Sequence, residues 1–289
     1  MRDAAPEIWF INLQRARERR ALMEVQAESH GIALNRFAAV EAAEIDEATF
    51  RRLSRQWERP MTRPEVAAFL SHRALWEKAA ERPEGLIVLE DDTVFSAHFA
   101  EAAGKAAASG AELVNLESFG RRKFFRCGGT ETLGRFRLVD VVRDKAGAGA
   151  YWLSQRGARL LLDRADSHAA PADAFIFGVC RPRVAQIEPA VTMQVHLLVA
   201  RGFDVGLTTQ TSIQIARKHL PLVPGNLGYI ARRLGTQMRL GLVQARRLAD
   251  AEFRPALFDE AAFRAVLPIS REALDARLAA YAAEDQSAS

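Results

Sequence analysis

The hydrophobic pattern of the chain begins with a short continuous run, Ile8-Trp9-Phe10-Ile11-Asn12-Leu13. A run of that length, rich in β-formers and without alternation, predicts a strand buried on both faces. Good helix formers from Arg15 to Ser29, with Gly31 where a C-terminal cap belongs, predict a helix after it. Ala33 to Phe37 then completes a βαβ opening. Asp46 to Trp57 reads as a short helix capped by Asp46, and Thr62-Arg63-Pro64-Glu65 has the form of a capping box with proline in the first turn. The helix it starts reaches about Ala80. Its apolar positions Val66, Phe69, Leu70, Leu75 and Trp76 recur at helical spacing, which predicts packing on a sheet, and Ser71 and His72 lie within it.

Leu86-Ile87-Val88-Leu89 is the clearest strand of the chain, and Glu90-Asp91-Asp92 follows with no linker. Further on, Phe99 to Ser109 predicts a helix, and Glu112 to Leu116 and Phe136 to Val142 predict strands. Between them, Phe119 to Gly134 reads as a loop, basic at first through Arg121, Arg122, Lys123 and Arg126. Gly147-Ala148-Gly149 leads into a strand ending at Ser154 and a helix from Gln155 to Arg164, with glycines that permit close approach of a ligand. Pro171-Ala172-Asp173 begins a turn into a helix or strand holding Phe175, Ile176 and Phe177. The strand and helix rhythm weakens from about Gly202, and Pro221, Pro224 and Gly225 mark a boundary. The expected organisation is an α/β domain over 6–200 and a helical, basic extension over 201–289.

Composition narrows this picture without redirecting it. At 289 residues, 49% hydrophobic and 26% charged, the chain is of the globular kind and long enough for a sizeable core. Cys127 and Cys180 are the only cysteines and lack metal or redox spacing, which points to a reducing compartment. Neither a signal peptide nor a run of about 18 apolar residues is found, so the expected location is cytoplasmic. The net charge of +4 is small but uneven. From Arg217 to Arg254 the segment carries Arg217, Lys218, Arg232, Arg233, Arg239, Arg246, Arg247 and Arg254 against Asp250 and Glu252. Such a segment suits an anionic partner, a phospholipid surface or a phosphorylated acceptor, and a solvated helix face is the competing reading. A nucleic-acid partner is not expected.

Three adjacent acids at a strand end repel one another, and a divalent cation resolves the conflict. Mg²⁺ or Mn²⁺ takes hard oxygen ligands, one or two of them protein carboxylates, and completes its shell with water and substrate phosphates. A nucleotide diphosphate is the matching ligand; helix capping or solvation of the acids is the alternative. Asn12 at the end of the first strand, with Arg19 and Arg20 on the helix after it, stands where α/β folds bind nucleotides, although an exposed helix face also explains the arginines. Ser71 and His72 are buried by helical phase and either meet the donor or are satisfied within the core.

Several separated segments also share one pattern. They are Ile11-Asn12-Leu13 with Arg19-Arg20; Gly31-Ile32, Arg36-Phe37 and Ala39-Val40; Glu65 leading to Phe69-Leu70-Ser71-His72-Arg73 and Trp76; Val88-Leu89-Glu90-Asp91-Asp92; Gly149-Ala150-Tyr151 with Ser154 and Gly157-Ala158; and Pro171-x-Asp173. In this order, from Ile8 to about Gln194, the chain resembles glycosyltransferase family 25, of lipopolysaccharide biosynthesis and with relatives acting on collagen. Val66 to Ala68 depart from it, lacking the Gly-Cys that precedes Phe-Leu-Ser-His in relatives.

The resemblance implies a GT-A type fold and inverting transfer of a hexose, commonly galactose, from a UDP-sugar to a sugar hydroxyl of a glycan or glycolipid acceptor. It makes Glu90-Asp91-Asp92 the counterpart of the Asp-x-Asp motif, with Asp92 as first metal ligand and Glu90 or Asp91 on the ribose or a second metal site. It also offers His196, beside Gln194, as a late metal or phosphate ligand. Asp173 becomes the candidate base that takes the acceptor proton, with a helix N-cap as its other reading. Two rivals remain: a phosphatase of the haloacid-dehalogenase kind, disfavoured because Glu90 would occupy the nucleophile position, and a non-catalytic member that binds nucleotide sugar or membrane only.

Overall fold

The computed structural model describes residues 6–144, 147–207, 221, 223–246 and 249–287. β1 (Glu7–Asn12) leads into α1 (Arg17–His30), which ends on Gly31 in the left-handed conformation, φ 62°, as the sequence predicts. β2 (Asn35–Ala38) returns parallel to β1. α2 (Glu47–Ser54) is capped by Asp46, whose carboxylate accepts from Thr49 N–H at 2.8 Å. α3 (Arg63–Ala80) starts at the predicted capping box, where the Glu65 carboxylate takes the Thr62 N–H at 3.0 Å. β3 (Leu86–Glu90) then pairs parallel with the other side of β1, and β4 (Thr93–Phe95), α4 (Phe99–Ala107) and β5 (Leu113–Asn115) follow.

Phe119 to Gly134 is not the loop that its charge suggested. It forms β6 (Arg122–Leu133), hairpinned through Gly134 to β7 (Phe136–Arg143). The reason is visible in Lys123, which is only 4% exposed and is paired with Asp144 while donating to Gln186 Oε1 at 2.8 Å. A strand whose inward positions include a paired lysine loses the apolar alternation by which strands are recognised. β8 (Ala150–Leu153), α5 (Gln155–Ala165), the single turn α6 (Ala172–Ala174) and a wider helical turn over Phe175–Cys180 come next. β9 (Val184–Glu188), β10 (Thr192–Gln194) and α7 (Val195–Ala200) follow them. Beyond these lie α8 (Leu227–Arg246), β11 (Ala251–Pro255), α9 (Glu260–Arg264) and α10 (Arg271–Ser287).

Nine of these strands form one mixed sheet in the order β11-β6-β7-β9-β5-β8-β3-β1-β2, while β10 and β4 pair separately. β1, β2 and β3 are parallel, β8 is inserted antiparallel between β3 and β5, and β9 runs parallel to β5. The carboxyl ends of β1, β3 and β5 and the entry to β8 therefore share one edge. Alternate β3 residues supply the two faces: Leu86 and Val88 join Phe69, Trp76, Tyr151 and Phe175, whereas Ile87 and Leu89 join Phe10, Phe95, Phe99 and Trp152. Fully burying each of the larger side chains contributes about 1.5–3 kcal/mol, enough to hold the site edge against the charge it carries.

Among the described residues beyond 200, β11 and α10 are bound into this body. β11 extends the sheet beside β6, and its Arg254 meets the fully buried Glu188 of β9, which also faces Arg137. α10 lies on α1, where Tyr281 Oη donates to Glu24 Oε2 at 2.6 Å and Arg277 pairs with Glu28. Of the late basic cluster, Arg232, Arg233, Arg239 and Arg246 are on α8 and Arg254 is on β11; Arg217, Lys218 and Arg247 lie outside the described residues.

Candidate active site

The register of β1 against β3 sets Ile11 opposite Glu90, so Asn12 stands beside Asp91. Asn12 Nδ2 donates to Asp91 Oδ2 at 2.8 Å and to the Ala16 carbonyl at 3.0 Å, and its Oδ1 accepts from Arg36 Nε at 2.9 Å. Arg19, in the first turn of α1, donates to Asp91 Oδ1 at 2.8 Å and stands 3.8 Å from Asp92 Oδ2. Asp91 thus has both oxygens engaged; burial nonetheless raises its pKa, against the Arg19 charge. The adjacent acids are held in place by one amide and one guanidinium, which accounts for Asn12 and Arg19 at these positions.

Glu90 points another way, accepting from Gln194 Nε2 at 2.9 Å. Across from it, Trp76 Nε1 donates to Tyr151 Oη at 2.8 Å, which leaves the phenol proton for His72 Nδ1 at 3.0 Å. The imidazole proton then lies on Nε2, 3.6 Å from Glu90 Oε1. Burial pushes the Tyr151 hydroxyl well above its ordinary pKa, so it stays a proton donor to His72. Asp173 faces the same space. Its half-buried carboxyl is raised above the ordinary value by burial, with the Glu90 charge adding to the rise, while a bond from Ala174 N–H, His72 and Arg121 oppose it. The N-cap position of α6 belongs to Pro171, and among the described residues Asp173 accepts only from the Ala174 N–H next to it, at 2.7 Å.

Glu117 was not anticipated. It lies two residues past β5, is 1% exposed, and accepts from Gly149 N–H at 3.1 Å through Oε2. The Glu90 and Asp92 charges add to a burial that already lifts its pKa well above the ordinary value. A signal was present in Leu113-Val114-Asn115-Leu116-Glu117, an apolar run ending in an acid as the earlier strand does. At Gly149 the missing side chain leaves room for Glu117 and Gln194. A Cβ on Gly149 would stand 2.8 Å from Glu117 Oε1 and 2.9 Å from Gln194 Nε2. Gly149→Ala is therefore expected to destabilise the protein by about 1–3 kcal/mol, as overpacking does. Gly178→Ala, where a Cβ meets nothing within 4 Å, should shift the denaturation midpoint far less.

His196 reaches the same edge. Val195 N–H donates to the Asp92 carbonyl at 2.9 Å, and burial, with Arg19 nearby, lowers the His196 pKa against the attraction of Glu90. Its Nδ1 is buried with no hydrogen-bond partner among the described residues. Two of the sequence candidates turn elsewhere. Arg20 binds Glu24 and covers the Tyr281 ring at 4.2 Å, and the Ser71 hydroxyl donates to the Ala67 carbonyl while accepting from Val40 N–H. Arg20 serves the α1–α10 contact and Ser71 ties α3 to the chain after β2.

Whether this edge suits a divalent cation depends on its oxygens. Asp92 Oδ1 and Glu117 Oε1 are buried and have no hydrogen-bond partner among the described residues. Burial and the Glu90 charge push Asp92 up to about 7. Unsatisfied carboxylate oxygens, strained by mutual repulsion, fit a hard cation of the Mg²⁺ or Mn²⁺ kind. Among the described residues no group of three or more His, Cys, Asp or Glu is placed to hold an ion alone, so phosphates and water would complete its shell.

The combination of a parallel opening unit, an inserted antiparallel strand and acids at the carboxyl edge defines a Rossmann-like α/β domain, the arrangement that the GT-A expectation required. Residues 5–176 match the family described as Glycosyltransferase family 25 (LPS biosynthesis protein), and the chain belongs to that family. It is 34% identical over 102 residues to a glycosyltransferase 25 family member of Aedes aegypti, covering 32% of this chain and 17% of the relative. It is 30% identical over 103 residues to procollagen galactosyltransferase 2 of Homo sapiens, covering 32% and 16%, and 29% identical over 128 residues to a family member of Drosophila pseudoobscura pseudoobscura, covering 40% and 20%. The matched part spans a fifth or less of each of these relatives.

Proposed function

We propose that the chain is an inverting, metal-dependent glycosyltransferase that moves a hexose from a UDP-sugar to a sugar hydroxyl of a lipopolysaccharide, lipooligosaccharide or related glycan. The buried oxygens of Asp92 and Glu117 that have no hydrogen-bond partner among the described residues are the observation that carries this reading. Family membership supports the transfer chemistry, its description supports the lipopolysaccharide acceptor, and the galactosyltransferase name of the human relative supports galactose. The free Cys127 and Cys180 support a cytoplasmic setting.

Asp92 would hold a divalent cation, with Asp91, Glu117 or His196 as a second protein ligand, and the ion would neutralise the charge that develops on the departing diphosphate, an effect worth several kcal/mol. Arg19 and Asn12 keep the Asp91 carboxylate fixed, and Arg19 adds positive charge on the donor side. His72, oriented by Tyr151, sets Glu90 toward the space where the ribose or sugar lies. Asp173 takes the proton from the acceptor hydroxyl as that oxygen attacks the anomeric carbon from the face opposite the leaving group. Its raised pKa makes it a stronger base than an exposed aspartate.

Release of UDP from UDP-galactose is expected to require Mn²⁺ or Mg²⁺ and to be abolished by a chelator. Phosphate release from the same donor would support the phosphatase reading, and donor binding without turnover the non-catalytic one; either result overturns the proposal.

A further inference from the structure

The outermost face of α8 has no partner among the described residues. Leu227, Ala231, Leu234, Met238 and Leu242 recur every three or four residues, and Leu227, Leu234, Met238 and Leu242 are 57–60% exposed. Leu240, on the other side, is the only buried residue of the helix. Its twenty residues include Arg232, Arg233, Arg239 and Arg246 and no acid. Arg232 and Arg239 are bonded to the carbonyls of Arg55, Trp57 and Gly178, and Arg232, Arg233 and Arg246 are exposed. Arg164 and Arg181 add positive charge around Arg239, against Glu58.

We propose that this face lies on a bilayer containing anionic lipid, its apolar stripe in the acyl boundary and its arginines among the headgroups. A contiguous exposed apolar stripe calls for a cover, and charge selects which one. Two copies of α8 laid face to face would bring arginines against arginines with no acid between them, whereas anionic headgroups supply the missing countercharge. Among the described residues no helix is long and apolar enough to cross a membrane; α8 instead has the composition of a helix that lies in the interface. Arg239 fastens it to Gly178, five residues beyond Asp173. The bilayer would thus stand beside the segment that carries the candidate base, where a lipid-linked acceptor would arrive. That last step alone rests on the transferase reading.

The test is sedimentation of the full chain with vesicles of phosphatidylcholine, with and without about one third phosphatidylglycerol. Binding is expected to be at least about tenfold tighter to the anionic vesicles and to weaken as salt is raised. Leu234→Glu with Met238→Glu should reduce it at least about tenfold, since charge on the apolar face opposes insertion, with the melting temperature unchanged. Equal binding to both vesicles, or binding unaffected by the double substitution, overturns the proposal. So does a wild-type dimer in sedimentation velocity that the same substitutions disperse, which would assign the face to a second copy. The vesicle measurement uses neither donor nor acceptor, so an inactive protein that binds would separate failure of the transferase reading from failure of this one.

Discussion

Asp92→Asn is expected to abolish transfer and, in the metal-free protein above pH 7, to raise stability. Asp92 is 6% exposed, and its pKa is pushed up to about 7 by burial first and the Glu90 charge second. Because the folded value lies above the unfolded value near 3.9, the folded protein binds more protons between the two, and stability falls as pH rises through that window. Above pH 7 the full cost of the buried charge is present, on the order of 2–4 kcal/mol. Asparagine removes the charge at nearly constant shape. At pH 8 the variant should melt roughly 4–8 °C higher, and below about pH 4 the difference should vanish, since both side chains are then neutral. Added Mn²⁺ should raise the wild-type melting temperature at pH 8 and leave the variant unmoved. Turnover should fall by about a thousandfold or more, the loss of several kcal/mol of charge stabilisation. A variant less stable at pH 8 that still turns over would remove the basis of the proposed cation site.

Glu117→Gln should act in the same direction, and the pair should not add. After burial and the Glu90 charge, the Asp92 charge also raises Glu117, so neutralising Asp92 relieves part of the cost at Glu117. Such a site is destabilising by construction: the core on both faces of β3 supports an edge that repels itself until countercharge arrives.

That edge was only partly legible in the sequence. β3 announced itself because a strand buried on both faces must be apolar throughout, and β1 because one face is buried and the other, through Trp9 and Ile11, is partly buried against the core; the acids at the tip of β3 stood out against that background. Glu117 did not, because β5 is three residues long and a lone acid after a short run is common. The strands near the far edge were hidden for a different reason. β6 buries Lys123, and β9 buries Gln186 and Glu188 at 0% exposure, each matched by a partner from a distant strand. Hydrophobic patterning sees single positions, so a buried residue whose partner lies 63 or 66 positions away in sequence looks like surface. Similarly, Arg19 and Arg20 are alike in sequence, and helical phase alone sends one to Asp91 and the other to Glu24 and Tyr281.

Asp173→Asn should separate the base from the donor machinery. General-base catalysis contributes about 10²–10⁴-fold, so kcat should fall by that factor while the KM for the donor stays within about threefold. The fold should survive, because the asparagine oxygen can still accept from the Ala174 N–H and a half-buried carboxyl with a raised pKa costs stability when ionised. The pH profile distinguishes a base from a merely structural aspartate. An ionised carboxylate is required, so wild-type activity should decline as pH falls through the Asp173 pKa, on a limb displaced above the ordinary aspartate range. In the variant that limb should disappear and the residual rate should be flat across it. If the limb persisted unchanged and the rate dropped less than about tenfold, Glu90, held by Gln194 and facing His72, would be the carboxylate left to take the acceptor proton.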